Sequence, residues 1–389
     1  MLYTKYEKFL ENQNNSDMWS IIPNSVKDLL LLFKKNGKKL YVVGGAVRDF
    51  LIGDKPKDFD LATDATPDEV YQMLTSAKYR SSLQGKAFGV VVVYTNDQPM
   101  GMEIATFRED LYDSKLGMTR NPDVKFTTIE NDVKRRDIPF NALFFDLENR
   151  SIVDLVGGVD DIKNKVTRFV GDAKLRIEED PLRILRLLRF AYRYDFRVDE
   201  SALDAIRLKK SSLKIISKER IWEEFKKAYS YTKGSKDFNS YLYYFNELSL
   251  WEDVFPNSIV NTDLVDSSDL VVILANLFRN EPTSNLETKM VQTYKIETDF
   301  ATKAVFLINL LSLTYDNVVD LYKQKVRCHI TDDTIKEWLK VNLINDRIFS
   351  KFLEYQPSVD ADELMTKGFK GKSLGDEIKR LEIEKFKSL

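Results

Sequence analysis

A short apolar run that ends in a glycine pair is the feature that most constrains how this chain can fold. Leu40–Val43 is apolar and partly β-branched, which predicts a buried strand. Gly44 and Gly45 then let the backbone pass close to a bulky group, because they have no Cβ to clash with it. Backbone N–H groups and the guanidinium of Arg48 suit phosphate oxygens. These three residues are therefore candidate phosphate ligands. The alternative is a strand-to-helix turn with a surface arginine.

Two aspartates follow the glycine pair, around a second predicted strand, Phe59–Ala62. Because side chains alternate along a strand, Asp58 and Asp60 are expected to project from the same face. Neighbouring carboxylates repel each other unless a cation lies between them, and hard oxygen ligands of this kind suit Mg²⁺. A phosphate-binding turn beside a pair of Mg²⁺ ligands predicts nucleotidyl transfer.

The composition is that of a globular protein without a membrane span. The chain has 389 residues, of which 43% are apolar and 31% charged, and such a length predicts about two to three domains. No apolar run approaches bilayer length, and the N-terminus lacks the apolar segment of a signal peptide. Cys328 is the only cysteine and His329 the only histidine, which excludes an internal disulfide and a histidine-rich phosphohydrolase centre. We therefore expect a cytoplasmic protein.

The order of predicted elements indicates an α+β protein. Up to about residue 150, helical and extended segments alternate, and short turns join the strands, which favours a mixed or antiparallel sheet over a doubly wound one. Beyond about residue 160 helices dominate. The later predicted strands are 88–94, 102–107, 141–147 and 151–155, and the predicted helices include 26–35, one capped by Thr66 and Glu69, 178–196 and 218–231.

These motifs resemble those of the class II tRNA nucleotidyltransferases, the family of CCA-adding enzymes and bacterial poly(A) polymerases. The family pattern of GG-x-VRD, a spacer with a glycine, and D-x-D before a threonine stands here as residues 44–49, Gly53, 58–60 and Thr63. The resemblance covers roughly residues 20–230. It implies a nucleotidyltransferase palm with a mixed or antiparallel sheet, followed by all-α neck, body and tail domains. The implied division is a catalytic head at 1–155, a neck at 156–232, and body and tail at 233–389.

By this resemblance, Asp58 and Asp60 bind Mg²⁺ for two-metal nucleotidyl transfer. A third carboxylate often completes such a catalytic set. Glu103 is the candidate, because it is the lone charge within the predicted strand 102–107. The alternative is that Glu103 pairs with an arginine and only orients it.

Lys134–Asp137 resembles the RRD motif of the family, although Ile138–Phe140 replaces the residues that usually precede Asn141. By resemblance, Arg136 and Asp137 contact the phosphate and ribose of the incoming nucleotide, and Asn141 belongs to the same site. Recognition of the 2′-hydroxyl by Asp137 would favour ribonucleotides. The alternative is a charged turn that closes a hairpin.

The run Glu179-Asp180-Pro181-Leu182-Arg183 resembles the E-D-x-x-R motif with which the family selects bases. The pattern predicts an amphipathic helix with Asp180 as its N-cap and Pro181 at its first position. An aspartate three residues before an arginine also presents an acceptor beside donors, which can bind the Watson–Crick edge of a base. The resemblance implies that Asp180 and Arg183 select CTP and then ATP. Arg186 is expected to meet a phosphate or a carboxylate.

Three further segments carry structural expectations. Asp154–Asp161 resembles the glycine turn between head and neck, and its paired glycines predict a hinge. Ser217 begins a helix with an incomplete capping box, since Arg220 stands where glutamate is usual. The polar stretch 109–122 predicts a long loop, and family members that add the terminal A have a flexible loop there.

The implied activity is template-independent addition of CCA to the 3′ end of tRNA from CTP and ATP, with the tail holding the tRNA elbow. Sibling alternatives are partial CC or A addition, and poly(A) synthesis. The net charge of −2 does not support the strongly basic extensions of bacterial poly(A) polymerases. A non-catalytic RNA-binding protein is the alternative from another class. The intact set of Asp58, Asp60, Asp180 and Arg183 argues against it.

Overall fold

The computed structural model describes residues 15–83, 85–111, 123–234 and 236–389. Its contacts divide the chain into two compact units, Met1–Ser212 and Leu213–Leu389. All strands of the described residues belong to the first unit, and the described part of the second is helical. The predicted α+β class is therefore confirmed. The finer division into head, neck, and body with tail stays a prediction.

The first unit alternates short strands and helices. Its strands are β1 (Leu40–Val43), β2 (Asp60–Thr63), β3 (Arg80–Ser82), β4 (Val90–Tyr94), β5 (Met102–Thr106), β6 (Arg108–Leu111), β7 (Asp123–Phe126), β8 (Phe144–Asp146), β9 (Ser151–Val153), β10 (Val166–Thr167) and β11 (Arg197–Val198). Its helices are α1 (Asn15–Ile21), α2 (Asn24–Lys35), α3 (Gly45–Ile52), α4 (Pro67–Ser76), α5 (Ile129–Asp132), α6 (Gly158–Lys163), α7 (Ala173–Glu179), α8 (Arg183–Tyr194) and α9 (Glu200–Lys209).

Seven of these strands form one mixed sheet, in the order β3-β4-β5-β2-β1-β8-β9. β2 and β5 are parallel, and all other neighbouring strands of this sheet are antiparallel. The prediction of a mixed sheet is confirmed. β6 and β7 form a separate antiparallel hairpin, and β10 and β11 a short parallel pair.

Helices α2 and α4 follow from simple sequence rules. Val26, Leu29 and Phe33 recur at helical spacing on α2 and are completely buried. At the start of α4, the Thr66 hydroxyl accepts from the backbone N–H of Glu69, and the Glu69 carboxylate accepts from the backbone N–H of Thr66. The predicted capping box is therefore present.

Several boundaries differ from the prediction where turn-forming residues precede or interrupt an element. Residues 86–88 form a 3₁₀ turn and Gly89 has a φ of +75°, so β4 begins at Val90 rather than at residue 88. Pro139–Asn141 form another 3₁₀ turn, which moves the start of β8 to Phe144. The predicted loop 109–122 begins as strand β6, and its remainder, 112–122, lies outside the described residues.

The second unit is built from helices around aromatic side chains. Its helices are α10 (Lys218–Tyr229), α11 (Asn239–Glu247), α12 (Trp251–Val254), α13 (Leu270–Leu277), α14 (Leu286–Thr288), α15 (Thr298–Leu310), α16 (Val318–Cys328), α17 (Asp332–Val341), α18 (Arg347–Glu354), α19 (Ala361–Thr366) and α20 (Gly371–Ser388). Phe225 on α10 lies at the centre of an aromatic cluster, 5.2 Å from the Phe238 ring and 5.6 Å from the Trp222 ring. Across the described ranges, no helix has the length and apolarity needed to cross a membrane.

Candidate active site

Three carboxylates gather where β2 and β5 begin. Leu61 of β2 pairs with Ile104 of β5 in parallel register, and Asp60 and Glu103 each precede that pair by one residue. Leu61 and Ile104 are completely buried, whereas Asp60, Glu103 and Asp58 are exposed. Side chains alternate along a strand, so the acids face away from the side on which the apolar pair packs.

The electrostatics of Asp60 indicate that these carboxylates interact. Although Asp60 is exposed, protein atoms around its carboxylate displace enough water to raise its pKa to about 6, with further contributions from the negative charges of Glu103 and Asp58. Arg136 opposes this shift. A divalent cation would relieve the repulsion, and its remaining ligands could come from water or phosphate oxygens. In the part of the chain that the structure describes, no group of three or more His, Cys, Asp or Glu side chains is arranged to hold a metal ion, and this includes Asp58, Asp60 and Glu103.

The glycine pair forms the predicted turn between a strand and a helix. Gly44 has a φ of +69°, which favours glycine, and it separates β1 from α3. Its N–H donates to the Leu143 carbonyl at 2.9 Å, and this bond ties the turn to the start of β8. Gly44 and Gly45 both line the cleft described below.

Arg48 is buried and is held by its neighbour Asp49 and by partners distant in sequence. Its guanidinium donates to Asp49 at 2.7 and 2.8 Å and to the side-chain oxygen of Asn141. It also lies 5.3 Å from the ring centroid of Phe190 and 5.2 Å from that of Tyr194, within cation–π range. Arg48 is therefore not the surface arginine of the alternative interpretation. The buried amide nitrogen of Asn141 has no hydrogen-bond partner among the residues described.

Asp132 organises two arginines of the RRD segment. One of its oxygens accepts from Arg135 at 2.8 and 2.9 Å and from the backbone N–H of Arg108 at 3.1 Å. The other accepts from Arg136 at 2.9 and 3.0 Å. Burial opposes ionisation, but Arg136, Arg135 and the Arg108 N–H outweigh it and hold the pKa of Asp132 below its usual value.

Asp137 is paired with Arg186, so that Arg186 meets a carboxylate. Arg186 donates to one oxygen of Asp137 at 2.5 and 2.9 Å, and the backbone N–H of Ile138 donates to the other at 2.8 Å. Burial would raise the pKa of Asp137, but Arg186 and the further positive charge of Arg183 lower it overall. Asp137 is therefore an ionised acceptor at neutral pH.

Arg183 is anchored at the start of α8 and is 8% exposed. Its guanidinium donates to the Glu179 carboxylate, to the Arg176 carbonyl at 3.2 Å and to the Arg135 carbonyl at 3.0 Å. These three bonds use three of the five N–H groups of an arginine. Among the residues that the structure describes, these bonds leave two N–H donors of Arg183 for another partner.

The single helix predicted over 178–196 is wrong. Helix α7 ends at Glu179 and α8 begins at Arg183, with Leu182 rather than Asp180 in the N-cap position. Asp180 has extended backbone angles, φ −150° and ψ 101°, because a following proline disfavours the helical conformation. Its side chain still accepts from the backbone N–H of Leu182 at 3.2 Å. The turn at Asp180–Leu182 leaves Asp180 on the cleft wall.

Asp154 fixes the glycine turn that precedes α6. Its carboxylate accepts four backbone N–H groups, those of Val156, Gly157, Gly158 and Val159, at 2.8–3.1 Å. A Cβ on Gly158 would lie 2.3 Å from the Pro139 carbonyl oxygen, so only glycine fits this close approach. This packing supports the expected structural role. Hinge motion there stays a prediction.

All nine residues that the sequence analysis assigns to nucleotide binding line one cleft of about 360 Å³. Its walls carry five arginines and three aspartates, which suits a polyanion (Gly44, Gly45, Arg48, Asp110, Arg135, Arg136, Asp137, Asn141, Asp180, Arg183, Arg186 and Phe190). Asp58, Asp60 and Glu103 are not among these lining residues. The positive charge of Arg136, on the cleft wall, nevertheless acts to lower the pKa of Asp60.

Asp110, Arg135 and Phe190 line the cleft but were missed by the sequence analysis, as was Asp132 beneath it. Asp132 stands three and four residues before the two arginines. This spacing brings side chains together on a helical turn, so it could have identified Asp132 as their partner.

Known families match the segments that carry this site. The family described as "Poly A polymerase head domain" matches residues 40–168, and "Probable RNA and SrmB- binding site of polymerase A" matches residues 195–256. The human mitochondrial CCA tRNA nucleotidyltransferase 1 is 38% identical over 224 residues, which are 56% of this chain and 50% of that protein. The chain belongs to the class II tRNA nucleotidyltransferase family.

Members of both branches of this nucleotidyltransferase family resemble the chain. Poly(A) polymerase I of Salmonella typhi is 30% identical over 304 residues, 75% of this chain and 62% of that protein. The chain thus spans about half to three-fifths of these relatives. The structure of the Bacillus stearothermophilus CCA-adding enzyme in complex with CTP has the same fold, with a TM-score of 0.65 at 21% identity over 91% of this chain and 90% of that one. Nucleotidyltransferases of this kind use a divalent metal ion. The carboxylate oxygens of Asp58 and Asp60 are suitable ligands for such an ion.

Proposed function

We propose that this chain adds CCA to the 3′ end of tRNA from CTP and ATP, without a nucleic-acid template. One observation carries the proposal. The cleft brings the candidate phosphate and ribose ligands, Arg136 and Asp137, together with the candidate base ligands, Asp180 and Arg183. The names of the human relative and of the Bacillus protein agree with this activity.

Asp58 and Asp60 are the proposed ligands of Mg²⁺, and Glu103 is the candidate third carboxylate. The donor set fits, since all three are hard oxygen ligands and their proximity contributes to the raised pKa of Asp60. When bound, Mg²⁺ supplies neutralisation of the triphosphate charge and activation of the attacking 3′-hydroxyl.

The arginines of the cleft bind and orient the triphosphate in this proposal. Arg136 uses Nε and Nη2 to hold Asp132, and its Nη1 takes no part in those bonds. Guanidinium groups suit phosphate oxygens, because they can donate two parallel hydrogen bonds. Asp137, kept ionised by Arg186, would accept from the ribose 2′-hydroxyl.

Asp180 and Arg183 are the proposed base readers. Cytosine and adenine both carry an exocyclic amino donor, whereas uracil and guanine carry a carbonyl in the corresponding place. A carboxylate acceptor beside an arginine donor therefore favours C and A over U and G. Three N–H groups of Arg183 bind other described residues, and the remaining two could donate to acceptors on the edge of the base.

The deciding experiment supplies a tRNA that ends at the discriminator nucleotide, with labelled CTP and ATP singly and together. Addition of two C residues from CTP alone, and of CCA and no more from both, supports the proposal. Extension that stops after CC identifies a partial enzyme, and the 109–122 segment would then be examined by exchange with that of a CCA-adding relative. No incorporation from either nucleotide contradicts the proposal.

Poly(A) synthesis is the second candidate, because the Salmonella relative with 30% identity is named a poly(A) polymerase. The same assay separates the two activities, since a poly(A) polymerase produces a long tail from ATP alone. Binding of the tRNA elbow by residues 233–389 and a cytoplasmic location complete the proposal. Protection of the elbow nucleotides from cleavage would test the first, and fractionation of cells the second.

A further inference from the structure

Asp132, Arg135 and Arg136 form a charge cluster in which a buried carboxylate holds two arginines of the cleft wall. Asp132 is 1% exposed and does not line the cleft, whereas both arginines do. Each arginine donates through Nε and Nη2 to a single oxygen of the carboxylate, Arg135 to one oxygen and Arg136 to the other. Two donors on one charged acceptor restrain the direction of a guanidinium group more than one hydrogen bond does.

The partners on the other sides complete the restraint. Arg136 lies with its guanidinium 4.9 Å from the ring centroid of Phe144, within cation–π range. Arg135 also donates to the Arg108 carbonyl at 3.1 Å, and Asp132 accepts from the Arg108 N–H. The cluster is thus hydrogen-bonded to Arg108, the first residue of β6. β6 directly follows β5, the strand that carries Glu103.

We propose that Asp132 is a positioning residue that fixes Arg136, and with it Arg135, in the direction from which they bind the triphosphate of the incoming nucleotide. The inference rests on the proposed function and extends it to a residue that touches no substrate. A buried aspartate is stable only with such partners, so its presence ties the fold of this segment to the direction of the arginines.

Removing the carboxylate has two opposite consequences, which makes the inference easy to test. Loss of a negative charge beneath two arginines would by itself strengthen their attraction for phosphate. Loss of the two-nitrogen contacts would instead let the guanidinium groups turn away, and nucleotide binding would weaken because their orientation must then be restored on binding. The positioning role requires the second effect to be larger.

The test compares Asp132→Asn with wild type in binding CTP, CDP and CMP by calorimetry, with Mg²⁺ in the same excess throughout. We expect the affinity for CTP to fall about tenfold, equivalent to about 1.4 kcal/mol, while the affinity for CMP changes little. A purely structural defect would lower both alike. Asp161→Asn is the matched control, because Asp161 is also buried and also binds one arginine, Arg168 at 2.9 Å, but does not line the cleft. We expect it to leave the ratio of CTP to CMP affinity unchanged.

A double mutant separates the positioning role from a general effect. Arg136→Gln should lower CTP affinity by a similar factor, and adding Asp132→Asn to it should produce only the smaller loss that comes from Arg135. Equal or tighter binding of CTP by Asp132→Asn, or full additivity with Arg136→Gln, would overturn the inference. If Asp132→Asn does not fold, Arg136→Lys takes its place, because lysine keeps the charge but has no Nε and Nη2 pair with which to hold the Asp132 oxygen. Loss of the triphosphate preference then supports positioning, and its retention contradicts it. A wild-type protein that binds CTP no better than CMP would instead disprove the proposed function.

Discussion

The cleft of the first unit and the aromatic cluster of the second bury their side chains for different reasons. Around the cleft, buried charged groups have specific partners: Arg183, on the cleft wall, is 8% exposed, and Asp132, which holds two arginines of that wall, is 1% exposed. In the aromatic cluster, rings such as Phe225 and Phe238 only pack on one another. Burying a charge is costly unless it is paired, whereas apolar burial is what every core requires. Charged side chains are also buried in the second unit, at Glu224, Asp253 and Glu382. The first unit differs in that its paired charges converge on one cleft.

The largest expected effect is at Asp60, where a substitution in the first unit should abolish activity but hardly change stability. Asp60→Ala removes a proposed Mg²⁺ ligand, and nucleotide incorporation into tRNA should fall by about a thousandfold or more, because metal ions contribute several kcal/mol to such reactions. The unfolding transition should shift little, since the side chain is exposed and its carboxylate repels its neighbours. Asp54→Ala is the control, as Asp54 is an exposed carboxylate between α3 and β2. Activity of the Asp60 variant near that of wild type would show that the metal site lies elsewhere.

The corresponding change in the second unit should affect stability. Phe225 is 1% exposed at the centre of the aromatic cluster, so Phe225→Ala leaves a cavity and should lower the free energy of unfolding by about 3–5 kcal/mol. Urea denaturation followed by tryptophan fluorescence measures this loss, because Trp222 stacks on the same ring at 5.6 Å. Tyr243→Ala removes a ring that is 57% exposed and should change the free energy by no more than about 0.5 kcal/mol. Equal losses in the two variants would mean that Phe225 is not part of a packed core.

Local rules explain the features of the first unit that the sequence predicts correctly. The β1–α3 turn needs glycine at Gly44, and the α4 cap needs the pair Thr66 and Glu69, so both follow from a few neighbouring residues. Pro181 is compatible with two structures, because proline breaks a helix but is also common in the first turn of one. The extended backbone of Asp180 shows that the helix is broken there.

Contacts between distant segments could not be predicted. Arg48 and Asn141 are 93 residues apart, and nothing in either local sequence identifies the other as a partner. The same holds in the aromatic cluster, where the sequence predicts a helix over 218–231 but not which rings meet, since apolar contacts have no directional partner. The nine nucleotide-binding candidates belong to family motifs, and all nine line one cleft. Asp132 lies outside those motifs, so the sequence analysis missed it.

A smaller effect is expected at the base-reading position. Arg183→Ala should reduce discrimination between CTP and UTP by about tenfold to a hundredfold, since a specific base contact is worth about 1–3 kcal/mol. Some transfer should remain, because the phosphate ligands and the metal site are unchanged. Single-turnover assays with each nucleotide at limiting concentration give the ratio of rates. Arg207→Ala, on α9 and outside the cleft, is the control. An unchanged ratio would remove Arg183 from base selection and leave it as an anchor for Glu179.

The smallest expected effect compares one helix cap from each unit. The Thr66 hydroxyl accepts from the backbone N–H of Glu69, whereas Ser217 makes no side-chain bond to the backbone of α10. Thr66→Ala should therefore lower the free energy of unfolding by about 1 kcal/mol, and Ser217→Ala by only a few tenths, as is typical of an exposed position. Thermal unfolding of both variants under one set of conditions measures the difference. Equal losses would mean that the complete capping box gives α4 no advantage, and that helix stability in both units comes from the buried apolar face.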